Sequence, residues 1–242
     1  MSANVPSLTL CDFPAKTNLV GWASFSPFVL EVSRALTLAK LPFEHRHLDI
    51  MKLKEVNPLG QLPVLIVDDV KVADSTKILQ RIEALAPGSM TGGLGGASLA
   101  EAWLWEEFSD TALYPYVLTT RWADDRGWPV PRAAFFGSLP LPVRGLVASM
   151  VRRGTVKKLV ERDFTRGGLD ACYERLGRVL DDLDARAPAD GFWCGPRPSV
   201  ADLGLFAQLH SLRLPTTKFQ ADEVAKRTRL SQYLDRVDVA TS

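Results

Sequence analysis

The sequence predicts two structural parts, a mixed α/β part followed by an all-helical part. Strand-like and helix-like runs alternate over about the first 85 residues, whereas apolar residues beyond residue 98 follow helical spacing. The stretch between them is the most glycine-dense in the chain. We therefore expect an α/β domain at 1–88, a glycine-rich linker at 89–97 and an all-α domain at 98–242.

The first domain has the predicted order β-α-β, a short connection, and β-β-α. Residues 8–13 form a short apolar run that ends before Pro14, which predicts a strand. Ser26-Pro27 predicts a helix start, because serine is a favoured N-cap and proline suits the first helical position. The other predicted elements are a strand at 43–50, a hairpin of strands 63–67 and 70–73, and a helix that Ser75 would cap.

The second domain is predicted to contain only helices and loops. An aromatic-rich helix is expected at 99–120, and further helices at 169–186, 199–212 and 230–237. Ser199 and Asp202 form a variant of the capping box at the start of one of them. Prolines at 129, 131, 140 and 142 predict loops between these helices, since helix interiors exclude proline.

Composition excludes several classes of protein. The formal net charge is +1, which argues against a protein that binds nucleic acid by neutralising phosphates. No apolar run is long enough to span a membrane. The residues after Met1 lack a basic region followed by a hydrophobic one, so we expect no signal peptide. Three scattered cysteines indicate a reducing, cytoplasmic location.

Three motifs then point to a family. They are Gly21-Trp-Ala-Ser-Phe-Ser-Pro-Phe-Val29, Asn57-Pro-Leu-Gly-Gln-Leu-Pro-Val-Leu65 followed by Ala73-Asp-Ser-Thr-Lys-Ile-Leu79, and Arg197-Pro-Ser-Val-Ala-Asp-Leu203. With the order of elements, they resemble the cytosolic glutathione transferase superfamily over residues 7–237. The resemblance implies a thioredoxin-like N-terminal domain and an all-α C-terminal domain, which together make the glutathione transferase fold.

The first motif is similar to that of serine-type members, and it implies that Ser26 is the catalytic residue. A free thiol has a pKa of about 8.5, so only about 3% is thiolate at pH 7. A helix N-terminus and a hydroxyl donor both stabilise a thiolate. Ser24, two residues earlier, is the reserve candidate, because an extra loop precedes the helix. A plain N-cap role for Ser26 remains the alternative. Glu31 stands where relatives often have Lys or Arg, and near the first turn it would weaken the positive field.

The second motif implies a glutathione-binding site. Leu62-Pro63 resembles the cis-proline segment of thioredoxin-like domains, and the main chain of Leu62 would pair with the extended peptide. By the same resemblance, Asp74 would bind the ammonium of the γ-glutamyl group and Ser75 its carboxylate. Lys52, or alternatively Lys54, would reach the glycyl carboxylate, and Gln61 is a further candidate.

The resemblance implies a transferase that conjugates glutathione to a small hydrophobic electrophile. Glutathione would be a co-substrate, with no metal and no redox cofactor, and the protein would be a homodimer. Phe13-Pro14 followed by an extra loop is also similar to the metaxin and failed-axon-connections branch, so a non-catalytic binding or scaffolding protein is the alternative. A thiol oxidoreductase would need cysteine at the first helix, where this chain has serine.

Several other features of the sequence are weaker candidates for a site. His45 and His47 share one face of a strand, but without a third ligand we expect no metal site. Six aromatic residues are candidates for an acceptor pocket, with core packing as the alternative: Trp103, Trp105, Phe108, Tyr114, Tyr116 and Trp122. The basic segment 144–166 is read as a solvated helix face, with contact to anionic lipid or an acidic partner as the alternative.

Overall fold

A four-stranded mixed sheet organises the N-terminal half. The computed structural model describes residues 6–14, 23–214 and 218–242. Two sequence predictions therefore concern residues outside the described ranges: the absence of a signal peptide, and the start of the serine motif at Gly21-Trp22. The strands are β1 (Leu8–Asp12), β2 (Glu44–His47), β3 (Val64–Val67) and β4 (Val70–Ala73), in the spatial order β2-β1-β3-β4. Strand β1 is parallel to β2 and antiparallel to β3, which forms a hairpin with β4.

Helices α1 (Pro27–Leu38), α2 (Leu53–Val56) and α3 (Ser75–Leu85) complete this half. The predicted order of elements is confirmed, with two corrections. The strand predicted at 43–50 ends at His47, because the Asp49 carboxylate accepts a hydrogen bond from the Met51 amide and starts a 3-10 turn. Asp74, not Ser75, caps α3; its carboxylate accepts from the Lys77 amide at 3.2 Å.

The C-terminal half is helical, as predicted. Its helices are α4 (Gly96–Phe108), α5 (Tyr114–Leu118), α6 (Pro129–Phe136), α7 (Leu141–Glu161), α8 (Gly168–Arg186), α9 (Val200–Arg213), α10 (Lys218–Ala225) and α11 (Thr228–Thr241). Helix α9 lies at the centre, with Val200 to Leu212 all buried, and the predicted capping box of Ser199 and Asp202 is present. Together, the two halves confirm the predicted fold class.

The prediction that the prolines of 129–142 form loops is wrong. Helix α6 begins at Pro129, and α7 follows directly after Pro140. Proline lacks the N–H that a helix interior needs, but the first helical turn leaves its N–H groups unpaired in any case. The same residues therefore start helices instead of breaking them.

The helix predicted at 99–120 is one continuous helical path with two irregular turns. After α4, a π-helical turn at Ser109–Leu113 leads into α5, and a second one follows at Thr119–Ala123. Each π turn changes which side chains face the N-terminal half.

The two halves share an extensive interface. Helix α1 packs against α3 on one side and against α9 and α11 on the other. Arg34 of α1 forms an ion pair with Asp238 of α11 at 2.6 Å. The segment before α4 is also tied down: the Met90 carbonyl accepts from the Val200 amide, and Gly92 passes so close to the Pro198 carbonyl that a Cβ would clash. The domain limits and the linker stay a prediction. Within the described ranges, no helix is both long and apolar enough to cross a membrane.

Candidate functional site

The start of α1 forms the centre of the candidate site. Ser26 has an extended backbone, and its Oγ accepts a hydrogen bond from the Val29 amide at 3.4 Å. Its carbonyl accepts from the Leu30 amide at 3.0 Å, which begins the helical ladder. Ser26 therefore caps the helix and places a hydroxyl at the positive end of the helix dipole.

A cavity of about 560 Å³ lies on one side of Ser26. It brings together all but one of the residues predicted to bind glutathione: Gln61, Leu62, Pro63, Asp74 and Ser75 line it. The Leu62-Pro63 peptide is cis. Lys52 is exposed and is not among the described residues that line the cavity.

A second cavity of about 300 Å³ lies on the other side of Ser26 and is mainly apolar. Its wall includes Phe13, Phe25, Tyr114, Trp122, Phe135 and Phe136. Phe13, Ser26, Gly60 and Tyr114 belong to the walls of both cavities. A hydroxyl at the boundary can thus face a group held in one cavity and a reaction partner held in the other.

The candidate acceptor aromatics separate into two groups. Tyr114 and Trp122 line the apolar cavity. Of the other four, Tyr116 is buried in the hydrophobic core, and the half-buried Trp103, Trp105 and Phe108 pack against that core. Trp105 makes edge contacts with Phe108 and Trp193. The pocket interpretation applies to the first group, and the core alternative to the second.

The larger cavity also contains an acid that the sequence reasoning missed. Asp110 lies in the first π turn, and the Ser75 hydroxyl donates to its Oδ2 at 3.3 Å. Burial and the nearby Glu106 raise the pKa of Asp110 to about 8. Its sequence signal is an acid within the aromatic-rich helix predicted at 99–120. Asp110 is therefore mainly neutral at pH 7 before any cation binds.

Glu31 does not act as expected at the start of α1. It lies beyond the first turn, is fully buried, and its carboxyl has no hydrogen-bond partner within the part of the chain described here. Burial, together with Asp110, Glu106 and Asp74, raises its pKa well above the usual value. A raised pKa favours the neutral carboxyl, so Glu31 opposes the positive field at Ser26 less than an ordinary glutamate would.

A buried hydrogen-bonded cluster lies beneath the site. Asp12 is opposite His47 in the parallel register of β1 and β2, and His45 is two residues away on the same face. Asp12 Oδ2 is 3.0 Å from His45 Nε2 and 3.7 Å from His47 Nδ1. Spacing along the chain gives the histidines no third ligand, and the structure supplies Asp12 in that place, with ligand atoms of all three within 4.8 Å.

The ring geometry favours hydrogen bonding over metal binding in this cluster. The two imidazole rings are stacked, with centroids 4.7 Å apart and planes 26° apart. A ring nitrogen binds a metal in the plane of its ring, so two nearly parallel rings do not converge on one ion. His47 Nδ1 is instead 2.8 Å from the Phe13 carbonyl. The absence of a metal site stays a prediction.

Two arginines also reach the cavities. Arg121, in the second π turn, lines the apolar cavity and donates to the Phe25 carbonyl. Burial lowers its pKa to about 10, so it is still a cation at pH 7. Arg162 lines the larger cavity and belongs to the basic segment. In the same segment, Arg144 and Arg152 donate to main-chain carbonyls, so these two have structural roles.

None of the three cysteines is among the described residues that line the two cavities. Cys11 is buried in β1 and Cys172 in α8, while Cys194 is half-buried. Burial raises the pKa of all three thiols, that of Cys194 to about 11. A reactive cysteine needs a lowered pKa, so these residues do not support the thiol oxidoreductase alternative.

Comparison with known families and structures agrees with this geometry. Residues 22–90 match the family model described as glutathione S-transferase, N-terminal domain, and residues 166–236 match the corresponding C-terminal domain. The chain is 26% identical over 232 residues to the isoprene-epoxide–glutathione S-transferase of Rhodococcus sp. strain AD45, covering 90% of this chain and 93% of that protein.

Two solved structures show the same fold. Beta-etherase LigF from Sphingobium sp. strain SYK-6 has a TM-score of 0.65 and 24% identity, over 96% of this chain and 95% of that one. A glutathione transferase family member from Pseudomonas fluorescens Pf-5, solved with two glutathione bound, has a TM-score of 0.62 and 15% identity, over 96% and 91%.

Proposed function

The chain belongs to the glutathione S-transferase superfamily, and on that premise we propose that it conjugates reduced glutathione to a small hydrophobic electrophile. The observation that carries this proposal is the position of Ser26 on the shared wall of two cavities. One cavity carries the residues predicted to bind glutathione, and the other is lined by aromatic side chains. Ser26 is thus the proposed contact with the sulfur, which makes this a serine-type enzyme.

The larger cavity would hold the γ-glutamyl end of glutathione at the start of α3. Ser75 and the first amides of the helix would bind its carboxylate, because a helix N-terminus favours an anion. Asp74 would bind the ammonium, with Asp110 lining the same cavity. The main chain of Leu62 would pair with the extended peptide, and Arg162 is a better placed cation than Lys52 for a carboxylate.

The chemical step follows from the position of the sulfur beside Ser26. The helix N-terminus and the Ser26 hydroxyl, as a hydrogen-bond donor, stabilise the thiolate, and the thiol proton goes to solvent. The sulfur then forms a bond to the electrophilic carbon, and the bond from that carbon to its leaving atom breaks. Lowering the thiol pKa by about two units makes most of the bound glutathione nucleophilic at pH 7.

We propose a small epoxide as the first electrophile to test. The Rhodococcus relative is named for isoprene epoxide, and the apolar cavity of about 300 Å³ matches a small substrate. Opening an epoxide ring transfers the electron pair of the broken C–O bond to oxygen. The Arg121 cation in that cavity would stabilise the alkoxide, which then takes a proton from water.

The non-catalytic alternative predicts a filled or blocked cleft near Ser26. The described residues leave a cavity on each side of Ser26 instead, which favours the enzyme. We also propose, from the family resemblance, that the protein is a cytoplasmic homodimer that uses glutathione as a co-substrate without a resident cofactor. Light scattering behind a size-exclusion column tests the dimer.

Calorimetric titration with reduced glutathione tests the proposed function. We expect binding in the micromolar to low-millimolar range that Ser75→Ala weakens, since this variant removes a hydroxyl from the cavity. Ser26→Ala should leave glutathione binding within a few-fold but slow conjugation about a hundredfold, because it removes the donor to the sulfur. No binding at millimolar glutathione would contradict the proposal.

A further inference from the structure

Beneath Ser26, a chain of hydrogen bonds leads to a carboxylate with no exposed surface. Asp12 Oδ1 accepts from the Ser24 hydroxyl at 2.8 Å and from the Phe13 amide at 2.6 Å. The Ser24 Oγ in turn accepts from the Ser26 amide at 2.9 Å. We propose that Asp12 and Ser24 hold the Ser26 turn in the orientation that presents its hydroxyl to the glutathione sulfur. This inference rests on the proposed function.

The single hydroxyl proton of Ser24 decides whether this residue can donate to the glutathione sulfur. A serine hydroxyl has one O–H to donate, and an ionised carboxylate only accepts. Since Ser24 lies 2.8 Å from Asp12, its proton points to the carboxylate, and its lone pairs face the Ser26 amide. Ser24 is therefore a positioning residue and not the donor to sulfur.

Ser26 has the complementary arrangement. Its Oγ accepts from the Val29 amide, and this leaves its own proton to donate. Its amide is buried with the rest of the residue and is paired with Ser24 Oγ. Without that acceptor, the buried N–H of Ser26 would lack a partner, and the turn would shift until this N–H reached another acceptor. The direction of the hydroxyl thus depends on Ser24.

The histidines of β2 support the far side of the carboxylate. His45 Nε2 is 3.0 Å from Asp12 Oδ2, and both histidine side chains are about one-fifth exposed. A buried carboxylate needs such partners, because burial without them is costly. The cluster therefore keeps Asp12 as an acceptor that orients Ser24. This places the support for Ser26 in the sheet, on strands that carry none of the predicted glutathione-binding residues.

The test compares Ser24→Ala and Asp12→Asn with the wild type and with Ser33→Ala, a matched control that removes a buried hydroxyl within α1, away from the Ser26 turn. For each protein, the glutathione Kd is measured by calorimetry, and the pKa of the bound thiol by the ultraviolet absorbance of the thiolate. We expect Ser24→Ala to raise that pKa and to lower kcat toward chlorodinitrobenzene about tenfold, with Kd and KM within about threefold of wild type.

The other variants separate positioning from folding. Ser24→Thr keeps the hydroxyl and should restore most of kcat. Asp12→Asn keeps the shape and one acceptor, so its effect should be about threefold, and it replaces Ser24→Ala if that variant does not fold. Wild-type thiol pKa and kcat in folded Ser24→Ala or Asp12→Asn would overturn the inference while leaving the proposed function intact. Absent glutathione binding in the wild type would overturn both.

Discussion

Glutathione binding should release a proton from Asp110. The perturbation is the γ-glutamyl ammonium, which we place beside Asp74 in the cavity that Asp110 also lines. With a pKa of about 8, the Asp110 carboxyl is about 90% protonated at pH 7 before binding. A nearby cation stabilises the ionised form and so lowers the pKa.

The size of this effect follows from Coulomb's law. A unit charge at roughly 4 Å, with an effective dielectric constant of about 20, is worth about 4 kcal/mol, which corresponds to about three pKa units. The pKa of Asp110 would then fall to about 5, and binding at pH 7 would release about 0.9 proton. Because a proton is released, the affinity should rise with pH, about eightfold between pH 6 and 7.

The assay is calorimetric titration with S-methylglutathione, whose blocked sulfur cannot contribute a thiol proton. Titrations at pH 7 in two buffers with different ionisation enthalpies give the number of protons released. Asp110→Asn should abolish the release. Glu106→Gln is the comparison variant, since Glu106 does not line the cavity but its charge helps to raise the pKa of Asp110. This variant should reduce the proton release without abolishing it.

Two results would refute this reasoning. Equal binding heats in the two buffers, with an affinity that does not change from pH 6 to 8, would mean that Asp110 keeps its proton or lies away from the ammonium. Proton release that persists in Asp110→Asn would assign the proton to another group. Either result leaves glutathione binding itself intact.

Three further predictions concern stability and specificity. Glu31→Gln should stabilise the fold at pH 8 more than at pH 5. The reason is that the unfolded chain loses the Glu31 proton above about pH 4.3 while the folded chain keeps it, so the wild type loses stability as the pH rises. The melting temperatures of both proteins at the two pH values measure this difference. Asp202→Asn should lower the free energy of unfolding, measured in urea, by about 3 kcal/mol, because Asp202 accepts from the Trp193 and Ser199 amides and the Tyr233 hydroxyl. The control Asp235→Asn, at an exposed ion pair, should lower it by less than about 1 kcal/mol. Arg121→Met should lower kcat/KM toward an epoxide about a hundredfold with an unchanged glutathione Kd; an equal loss in the exposed Arg132→Met would contradict a specific role for Arg121.

Local signals predicted much of the fold. Helices α1 and α9 begin with capping residues that are visible in the sequence, and each starts within one residue of its predicted start. The starts of α6 and α7 were not, because a proline after a helix and a proline at its first turn give the same local pattern. Only packing against the rest of the chain decides between the two.

The candidate site was predictable where short segments form it. Residues 61–63 and 74–75 lie in the two stretches of the second motif, and they line one cavity. The contacts of Asp12 with His45 and of Ser75 with Asp110 join residues more than 30 positions apart. They depend on the register of β1 with β2 and on the π turn after α4, and neither can be read from spacing along the chain.

The two π turns give the site a route for evolutionary change. A π turn holds one more residue than an α turn, so deleting a single residue from Thr119–Ala123 would restore a regular helix. In an α-helix each residue advances about 100° around the axis, so the position of Arg121 in the apolar cavity would pass to a neighbouring side chain. Single-residue insertions and deletions at 109–113 and 119–123 can thus replace the polar side chain that faces one cavity without changing the other cavity. The rest of the helix stays in place.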